Sequence, residues 1–358
     1  MKKITIARAG WGTWGHVFPI KSLIEYLNTS NHAKEVEKMY WFWKKASLEE
    51  ETCKTLQKSI NNLFFLRINS WKRRREKSIW AFIKNIKDLF LFSYWILQSL
   101  ILIKKHKIDV VFCKWGYVAL PVVFAAKLLW KRIIVHESDV HPWLVNRIAS
   151  KYADKSFTWF ENVFPKATVV WQILSNELIT PEAKPSQKTK VFVMWWSQGS
   201  KDLYEGLAKV LSTNQELNNM HFDIVLWKLN QNLKPVFSSM ENVSCYDFLT
   251  QKEMGEHYTS ADIAITRAGT TSLAEQELFD LKLIMVPIPR THDQKDNAKR
   301  YVKHHEGILL EQDDSEFLKK LEKTLISLKS YKKKLSWRNK EEIINKSKES
   351  IITAILYS

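Results

Sequence analysis

The feature that most constrains the fold is a strand, a turn rich in small residues and an amphipathic helix, in that order, near the start of the chain. Residues 4–7 form an apolar run, and after the turn apolar residues at helical spacing extend from Val17 to Leu27. The same order returns at 190–211, and strand-like runs alternate with amphipathic stretches along both halves. A single turn of this kind usually does no more than reverse the chain. The whole alternation predicts an α/β fold with doubly wound parallel sheets, whose ligands bind at the carboxyl ends of the strands.

A polar stretch with Pro181 and Pro185 separates the two alternations, and 358 residues are enough for two domains. We therefore expect a Rossmann-like N-terminal domain at 1–178 and a second one at 179–330. A helical tail at 331–358 is expected to pack back on the N-terminal domain. The three cysteines have no metal-like spacing, which favours a reducing interior over a secreted setting.

The net charge of +17 indicates an anionic partner, which could be nucleic acid, a membrane surface or a phosphate-bearing substrate. The densest basic cluster is residues 72–77, and a nearly apolar run at 89–103 follows it. That run is shorter than the roughly 20 residues that span a bilayer. It fits a buried helix, or a helix that rests in a lipid interface while the cluster binds headgroups. Nucleic acid is not expected, because the sequence lacks the aromatic and basic platform of single-strand binders.

The composition contains one anomaly, which is 16 tryptophans beside only 9 glycines. Ordinary glycine usage of about 7% predicts about 25 glycines in this length. Many tryptophans also lie in turns that favour glycine, which adopts positive φ freely and admits a ligand to the backbone. We hypothesise that these codons are UGA, which some bacterial lineages read as glycine; the alternative is a genuinely tryptophan-rich protein. The positions concerned are Trp11, Trp14, Trp43, Trp115, Trp143, Trp171, Trp195, Trp196 and Trp227.

Four motifs, taken together, resemble the MurG family. With glycine at the unusual tryptophans, the first turn reads Gly-Gly-Gly-Thr-Gly-Gly-His and the turn after residue 194 reads Gly-Gly-Ser-Gln-Gly. The other motifs are His136-Glu137 and Arg267-Ala268-Gly269 followed by Glu275. The resemblance implies the GT-B architecture, with two Rossmann-like domains facing a cleft. It also implies transfer of N-acetylglucosamine from UDP-GlcNAc to lipid I, undecaprenyl-pyrophosphoryl-MurNAc-pentapeptide, giving lipid II for peptidoglycan synthesis, cell shape and division.

The resemblance also implies the donor-binding residues. Ser197 matches a hydroxyl donor to the diphosphate, the Leu249 backbone reads uracil, and Glu275 binds both ribose hydroxyls. Two positions depart from the family, because Asp139 replaces an asparagine and Ser175 replaces an arginine. The implied donor-binding residues are Thr13, Trp14, Gly15, Asp139, Ser175, Ser197, Leu249, Thr270, Thr271, Ser272, Leu273, Ala274, Glu275 and Gln294.

His16 is the candidate general base, because an imidazole with a pKa of about 6.5 can accept a hydroxyl proton. The alternative for His16 is a structural residue that caps the loop. Glu137 is a weaker candidate base, and anchoring of its loop is the favoured interpretation. Gly116 and Tyr117 match an acceptor-binding loop, where bare backbone amides bind phosphate. One displacement at the anomeric carbon inverts the linkage, and neither a metal nor another cofactor is implied.

Three other functions remain open. The same fold glycosylates other lipids or epimerises UDP-GlcNAc, and literal tryptophans would favour a non-catalytic scaffold at a membrane surface. For the transferase we expect UDP-GlcNAc, lipid I and the anionic cytoplasmic membrane surface as partners. The enzyme is then expected to lie peripherally at the cytoplasmic face of the cell membrane.

Overall fold

The structure is a computed structural model that describes residues 3–10, 14–43, 47–68, 78–114, 116–180, 187–195, 200–289 and 291–357. The chain divides into two compact units. The first contains residues 1–174 and 344–358, and the second contains residues 175–343. The predicted boundary after residue 178 lies close to this division, whereas the predicted tail at 331–358 is shared between the two units.

The described part of the first unit contains a seven-stranded parallel sheet in the order β3-β2-β1-β4-β5-β6-β7. Its strands are β1 (Ile4–Gly10), β2 (Val36–Trp43), β3 (Leu63–Arg67), β4 (Val110–Lys114), β5 (Arg132–Glu137), β6 (Lys155–Thr158) and β7 (Thr168–Val169). Its helices are α1 (Trp14–Thr29), α2 (Leu48–Leu56), α3 (Ile79–Lys105), α4 (Ala119–Leu128) and α5 (Leu144–Ala149). The final helix, α12 (Lys340–Tyr357), begins in the second unit and ends in the first.

Helices cover both faces of this sheet. Successive residues of a strand point to opposite faces, so neighbouring residues belong to different buried clusters. Ile6 of β1 belongs to a buried cluster with Leu23 of α1 and Ile355 of α12. The next residue, Ala7, belongs to a second cluster with Val122 of α4. The near-continuous apolar strands of the sequence are therefore explained by burial on both sides.

The described part of the second unit contains a six-stranded parallel sheet in the order β10-β9-β8-β11-β12-β13. Its strands are β8 (Thr189–Met194), β9 (Met220–Val225), β10 (Val243–Tyr246), β11 (Ile263–Thr266), β12 (Lys282–Met285) and β13 (Gly307–Leu309). Its helices are α6 (Lys201–Thr213), α7 (Lys234–Ser238), α8 (Gln251–Ser260), α9 (Thr270–Leu278), α10 (His292–His304) and α11 (Phe317–Ser327). The prediction of two α/β units with doubly wound parallel sheets is confirmed.

Candidate functional site

The first unit has its topological switch point between β1 and β4, the two strands from which the chain winds in opposite directions. Ligands of such sheets bind at the carboxyl ends of the strands beside that point. β1 ends there at Gly10, which pairs with Lys114. A Cβ atom on Gly10 would lie 2.4 Å from Ile20 Cδ1 and 2.8 Å from the Lys114 carbonyl oxygen. Glycine at this position lets α1 pack closely against the strand ends.

The predicted residues of the first turn fall largely outside the described part of the chain. Thr13 lies in the segment 11–13, outside the described residues, and for residues 14–16 only the helical backbone is described. The structure does place the start of α1 directly after β1. The first backbone N–H groups of a helix have no partner within the helix and can bind an anionic ligand. The roles of Thr13 and His16 stay predictions.

The predicted acceptor residues follow β4 at the same edge. Gly116 is buried and has φ of 109°, a left-handed conformation that side chains rarely adopt. Tyr117 is half-buried, and its ring centre lies 5.9 Å from that of Trp43. Burial raises the pKa of the Tyr117 phenol, with a contribution from Glu49, so the phenol stays protonated and can donate a hydrogen bond. Trp115, between β4 and Gly116, lies outside the described residues.

Glu137 organises the loop that follows β5. Its Oε1 accepts hydrogen bonds from the backbone N–H groups of Ser138 at 2.7 Å and Asp139 at 3.1 Å. Its Oε2 accepts from Asn146 Nδ2 at 3.0 Å and from the Trp143 backbone N–H at 3.3 Å. Burial, together with the nearby Asp139 charge, raises the pKa of Glu137 to about 7. Because both oxygens already hold loop groups, this arrangement supports the anchoring interpretation over the base.

Lys114 is a buried residue of this edge that opens the predicted acceptor loop, and sequence reasoning gave it no role of its own. Its Nζ lies 2.8 Å from His136 Nδ1 and donates to Ser138 Oγ at 2.7 Å. Ser138 Oγ donates in turn to Gln172 Oε1 at 3.0 Å. Burial lowers the pKa of Lys114 to about 8 and the pKa of His136 well below its usual value, so the imidazole is neutral and accepts from the lysine. The available signal was a lysine at the end of an otherwise apolar strand.

The second unit has its switch point between β8 and β11. β8 leads into Trp195, which is fully buried and whose backbone N–H donates to Tyr204 Oη at 3.3 Å. The predicted diphosphate ligand Ser197 lies in the segment 196–199, outside the described residues. The helix after that segment, α6, starts at Lys201 beside the buried Ser200.

Leu249 lies on the loop between β10 and α8, and the loop is fixed at several points. The Leu249 side chain is buried, and Asp247 pairs with Lys234 at 2.8 Å. Thr250 and Glu253 form a reciprocal capping box at the start of α8. A backbone held in this way can present the same N–H and C=O groups to every incoming ligand. The structure is thus compatible with the predicted backbone contact to a base.

The predicted residues after β11 form the first turns of α9. Thr270, Leu273, Ala274 and Glu275 are buried, whereas Thr271 and Ser272 are half-buried. The helix starts directly after Gly269, so its N-terminal N–H groups lie at the carboxyl edge of the sheet. This end of a helix carries a partial positive charge that favours an anionic ligand.

Glu275 is only 4% exposed, and its Oε2 accepts a hydrogen bond from Tyr258 Oη at 3.2 Å. Burial raises the pKa of Glu275 to about 8, although the Tyr258 hydrogen bond acts in the opposite direction. A carboxyl with a strongly shifted pKa is typical of functional sites. Sequence reasoning selected Glu275 but missed Tyr258, which comes from a different helix.

The remaining predicted donor contacts lie on other loops and helices of the chain. Gln294 is in the first turn of α10 after β12, and its Oε1 accepts from the Ile288 backbone N–H at 3.0 Å. Ser175 opens the second unit and caps a short 3₁₀ turn by accepting from the Glu177 backbone N–H at 3.2 Å. Asp139 belongs to the first unit, where its Oδ2 accepts from Trp143 Nε1 at 3.1 Å. Within the second unit, Leu249, residues 270–275 and Gln294 all follow carboxyl ends of the parallel strands.

The described residues contain no group of three or more His, Cys, Asp or Glu side chains that could hold a metal ion.

Two protein-family profiles match the chain, one in each half. The profile of the glycosyltransferase family 28 N-terminal domain matches residues 6–158, and that of the family 28 C-terminal domain matches residues 190–354. The chain belongs to glycosyltransferase family 28. The two family 28 domains correspond to the two parallel-sheet units described above.

Curated relatives of this family 28 chain carry one common name, UDP-N-acetylglucosamine–N-acetylmuramyl-(pentapeptide) pyrophosphoryl-undecaprenol N-acetylglucosamine transferase. The protein from Staphylococcus saprophyticus is 30% identical over 312 residues, which cover 83% of this chain and 82% of the relative. The protein from Borreliella afzelii is 29% identical over 367 residues, which cover 96% of this chain and 95% of the relative. The predicted resemblance to the MurG family is confirmed.

Solved structures agree on the fold. The crystal structure of MurG from Acinetobacter baumannii matches with a TM-score of 0.71 at 20% identity, covering 99% of this chain and 100% of that chain. The calicheamicin glycosyltransferase CalG4 matches with a TM-score of 0.65 at 12% identity, covering 99% of this chain and 95% of that chain. These likenesses confirm the predicted GT-B glycosyltransferase fold class for this family 28 enzyme.

Proposed function

We propose that the chain transfers N-acetylglucosamine from UDP-GlcNAc to lipid I, forming lipid II. The observation that carries this proposal is the match to relatives named for that transfer along more than 80% of both chains. The positions of the described candidate residues support it, because those of the second unit gather at the edge where a nucleotide binds in such sheets. The acceptor hydroxyl attacks the anomeric carbon while UDP leaves, and this single displacement inverts the linkage.

The proposed roles follow from the local chemistry. The start of α9 and the Ser197 turn stabilise the charge that develops on the departing UDP. Glu275 accepts hydrogen bonds from the ribose hydroxyls, and the loop at Leu249 presents its backbone to uracil. His16 takes the proton of the acceptor hydroxyl, while Glu137 holds the loop that carries Asp139.

We also propose that glycine occupies the unusual tryptophan positions in the natural protein. Trp227 supports this with φ of 57° and ψ of 166°, a conformation that is essentially restricted to glycine. Trp195 supports it too, because its indole is fully buried and its Nε1 has no hydrogen-bond partner among the described residues. We call the full-length chain with glycine at these positions the glycine form.

The transfer is tested with the purified glycine form, UDP-GlcNAc and lipid I in detergent. We expect release of UDP and formation of a β-linked disaccharide, identified by mass spectrometry and NMR. UDP-GlcNAc without acceptor is the control and should stay intact. Conversion of UDP-GlcNAc to its 2-epimer in that control would favour the epimerase alternative, and transfer only to another lipid would overturn the choice of acceptor.

For the membrane, we propose peripheral binding through α3 to the anionic cytoplasmic face. Six of the exposed apolar side chains of α3 recur at helical spacing along one side, with Trp80 exposed beside them, while Ile103 on the other side is buried in the first unit. No helix of the described residues is both long and apolar enough to cross a bilayer. The basic cluster at 72–77 lies outside the described residues. The exposed stripe consists of Ile79, Ile83, Phe90, Tyr94, Leu97 and Ile101.

Replacing Arg73, Arg74 and Arg75 with glutamine should weaken binding to anionic vesicles by about 1 kcal/mol per charge, and by less at high salt. The reason is the loss of attraction to the negative surface potential. Vesicle sedimentation with anionic and neutral lipids measures the change in binding. The matched control neutralises three exposed lysines of the second unit, Lys209, Lys252 and Lys299. Equal binding of the parent chain to neutral and anionic vesicles would contradict the proposal.

A further inference from the structure

Two helices of the second unit meet at a buried hydrogen bond between a phenol and the proposed ribose-binding carboxylate. Tyr258 on α8 is fully buried and Glu275 on α9 is 4% exposed, and Tyr258 Oη donates to Glu275 Oε2 at 3.2 Å. Among the described residues, the hydrogen bond from Tyr258 is the one that the Glu275 carboxylate accepts, and it goes to Oε2 and not to Oε1. Oε2 is therefore held by the protein, and Oε1 is the oxygen that can accept from a ligand.

We propose that Tyr258 is a positioning residue of the donor site, which fixes one oxygen of Glu275 so that the carboxylate meets the ribose hydroxyls in one orientation. This inference rests on the proposed function, because it takes Glu275 as the ribose ligand. Tyr258 itself does not contact the nucleotide and acts through Glu275.

The phenol is well placed for this role because its ring is fixed on two sides. The ring of Phe192 on β8 lies edge-on to it, with ring centres 5.2 Å apart and planes at 80°. The ring of Phe279, just after α9, has its centre 5.7 Å away. A phenol fixed in this way loses little further freedom when it holds the carboxylate, so its hydrogen bond is preorganised.

The two helices are also tied to the sheet and to each other. His257 Nδ1, next to Tyr258, lies 3.0 Å from Asp223 Oδ2 on β9. Although burial alone would raise the pKa of Asp223, the imidazoles of His221 and His257 hold it well below its usual value, so the carboxylate is ionised. This contact between His257 and Asp223 holds α8 against β9 of the sheet.

Lys333 joins the C-terminal ends of the same two helices. Its Nζ donates to the carbonyl oxygens of Tyr258 at 2.8 Å, Thr259 at 2.9 Å and Phe279 at 3.2 Å. A cation at these ends is favourable, because the last carbonyl groups of a helix have no partner within it. The distance between α8 and α9, and with it the contact between Tyr258 and Glu275, is thus fixed by a bridge outside the contact itself.

The phenol also favours the ionised carboxylate, which is the better acceptor for two hydroxyls. Burial raises the pKa of Glu275 to about 8, and the hydrogen bond from Tyr258 lowers it. Removal of the phenol should therefore raise this pKa further. Tyr258 of α8 is the titratable side chain that contacts Glu275 in the described structure; His257, next to it, is paired with Asp223 of β9, Glu277 lies two residues further along α9, and Lys333 binds the ends of both helices.

The test is a double-mutant cycle for UDP binding with Tyr258→Phe, Glu275→Ala and the double variant, by calorimetry on the glycine form. We expect Tyr258→Phe to weaken UDP binding about tenfold near neutral pH, because without the phenol Glu275 loses its proton less readily before it accepts the ribose hydroxyls. The double variant should bind no more weakly than Glu275→Ala alone, because the phenol acts only through that carboxylate.

The pH profile gives a readout that a merely structural role would not move. Binding should strengthen as the pH rises through the pKa of Glu275, and in Tyr258→Phe this rise should occur at higher pH. UDP itself also titrates, but its contribution cancels in the ratio of the UDP dissociation constant of Tyr258→Phe to that of the parent. That ratio should be largest below about pH 8 and shrink above it. The matched control is Tyr301→Phe, which alters another buried tyrosine of the second unit and should leave the profile unchanged.

The outcomes separate the two proposals. A Tyr258→Phe chain that binds UDP like its parent at every pH, or an effect that adds to that of Glu275→Ala, would overturn the positioning role. Unchanged binding in Glu275→Ala would instead overturn the ribose assignment, and with it this inference.

Discussion

Above pH 8, where its carboxylate is ionised, replacing Glu275 with alanine is expected to weaken the binding of UDP-GlcNAc by about 1.5–3 kcal/mol, the range for losing a charged hydrogen-bond partner. One carboxylate can accept from two adjacent ribose hydroxyls, and the alanine variant loses both contacts. Calorimetric titration of the glycine form measures the loss. An unchanged donor titration would remove Glu275 from the site.

The Glu275→Gln variant separates a functional loss from a folding defect. The pKa of Glu275 is raised to about 8 in the folded chain by burial. A carboxyl whose pKa is raised by folding stabilises the folded state fully below the unfolded pKa, about 4.3. This contribution to the free energy of unfolding is lost as the pH rises toward the folded pKa. Glutamine removes this penalty, so at pH 7 the variant should unfold at a higher temperature than the parent while it binds UDP-GlcNAc more weakly. A lower unfolding temperature together with weaker binding would indicate a structural role instead.

The fold was predictable from the sequence because it depends on local patterns. Each buried strand is a short apolar run, and parallel sheets covered on both faces need such runs. Gly10 and Gly269 mark two of the strand ends, and the family resemblance placed Leu249 and Glu275 beside strands that the structure confirms. The carboxyl-edge rule then groups these residues without any knowledge of contacts.

The partners of the site residues were not predictable from those patterns. Tyr258 and Glu275 are 17 positions apart on different helices, and Lys114 and His136 are 22 positions apart on neighbouring strands. Their pairing depends on how elements pack, whereas periodicity describes each element by itself. In the sequence Tyr258 is simply one more aromatic residue on the buried face of a short helix, so its polar contact left no signal.

One more tryptophan joins the anomalous set only when the backbone is seen. Trp130 has φ of 53° just beyond the end of α4 and is 90% exposed. Its backbone N–H donates to Lys127 O at 3.1 Å, and the N–H of Lys131 donates to Ala126 O at 2.9 Å. This pair of bonds is the Schellman motif, whose left-handed residue is most often glycine. We therefore add Trp130 to the positions where glycine is expected.

The largest expected effect is that of glycine at these positions. The glycine form should transfer N-acetylglucosamine, whereas the chain with literal tryptophan should bind UDP-GlcNAc poorly and give no detectable product. Trp195 and Trp196 replace two glycines of the proposed diphosphate turn after β8, so the literal chain lacks the small residues that let a phosphate approach the backbone. In the part of the chain that the structure describes, the buried Nε1 of Trp195 has no partner, which destabilises the folded state by about 1–3 kcal/mol.

A single substitution tests the backbone argument apart from ligand binding. Trp227→Gly should stabilise the folded chain, since a side chain at φ of 57° and ψ of 166° costs about 1–3 kcal/mol. The matched control is Trp337→Gly, which removes a fully exposed indole with no packing to lose and should leave the unfolding midpoint nearly unchanged. Peptide mass spectrometry of the native protein decides the identity directly and should show glycine at Trp130 and Trp227. Tryptophan masses there, or UGG codons in the gene, would contradict the recoding and favour the scaffold alternative.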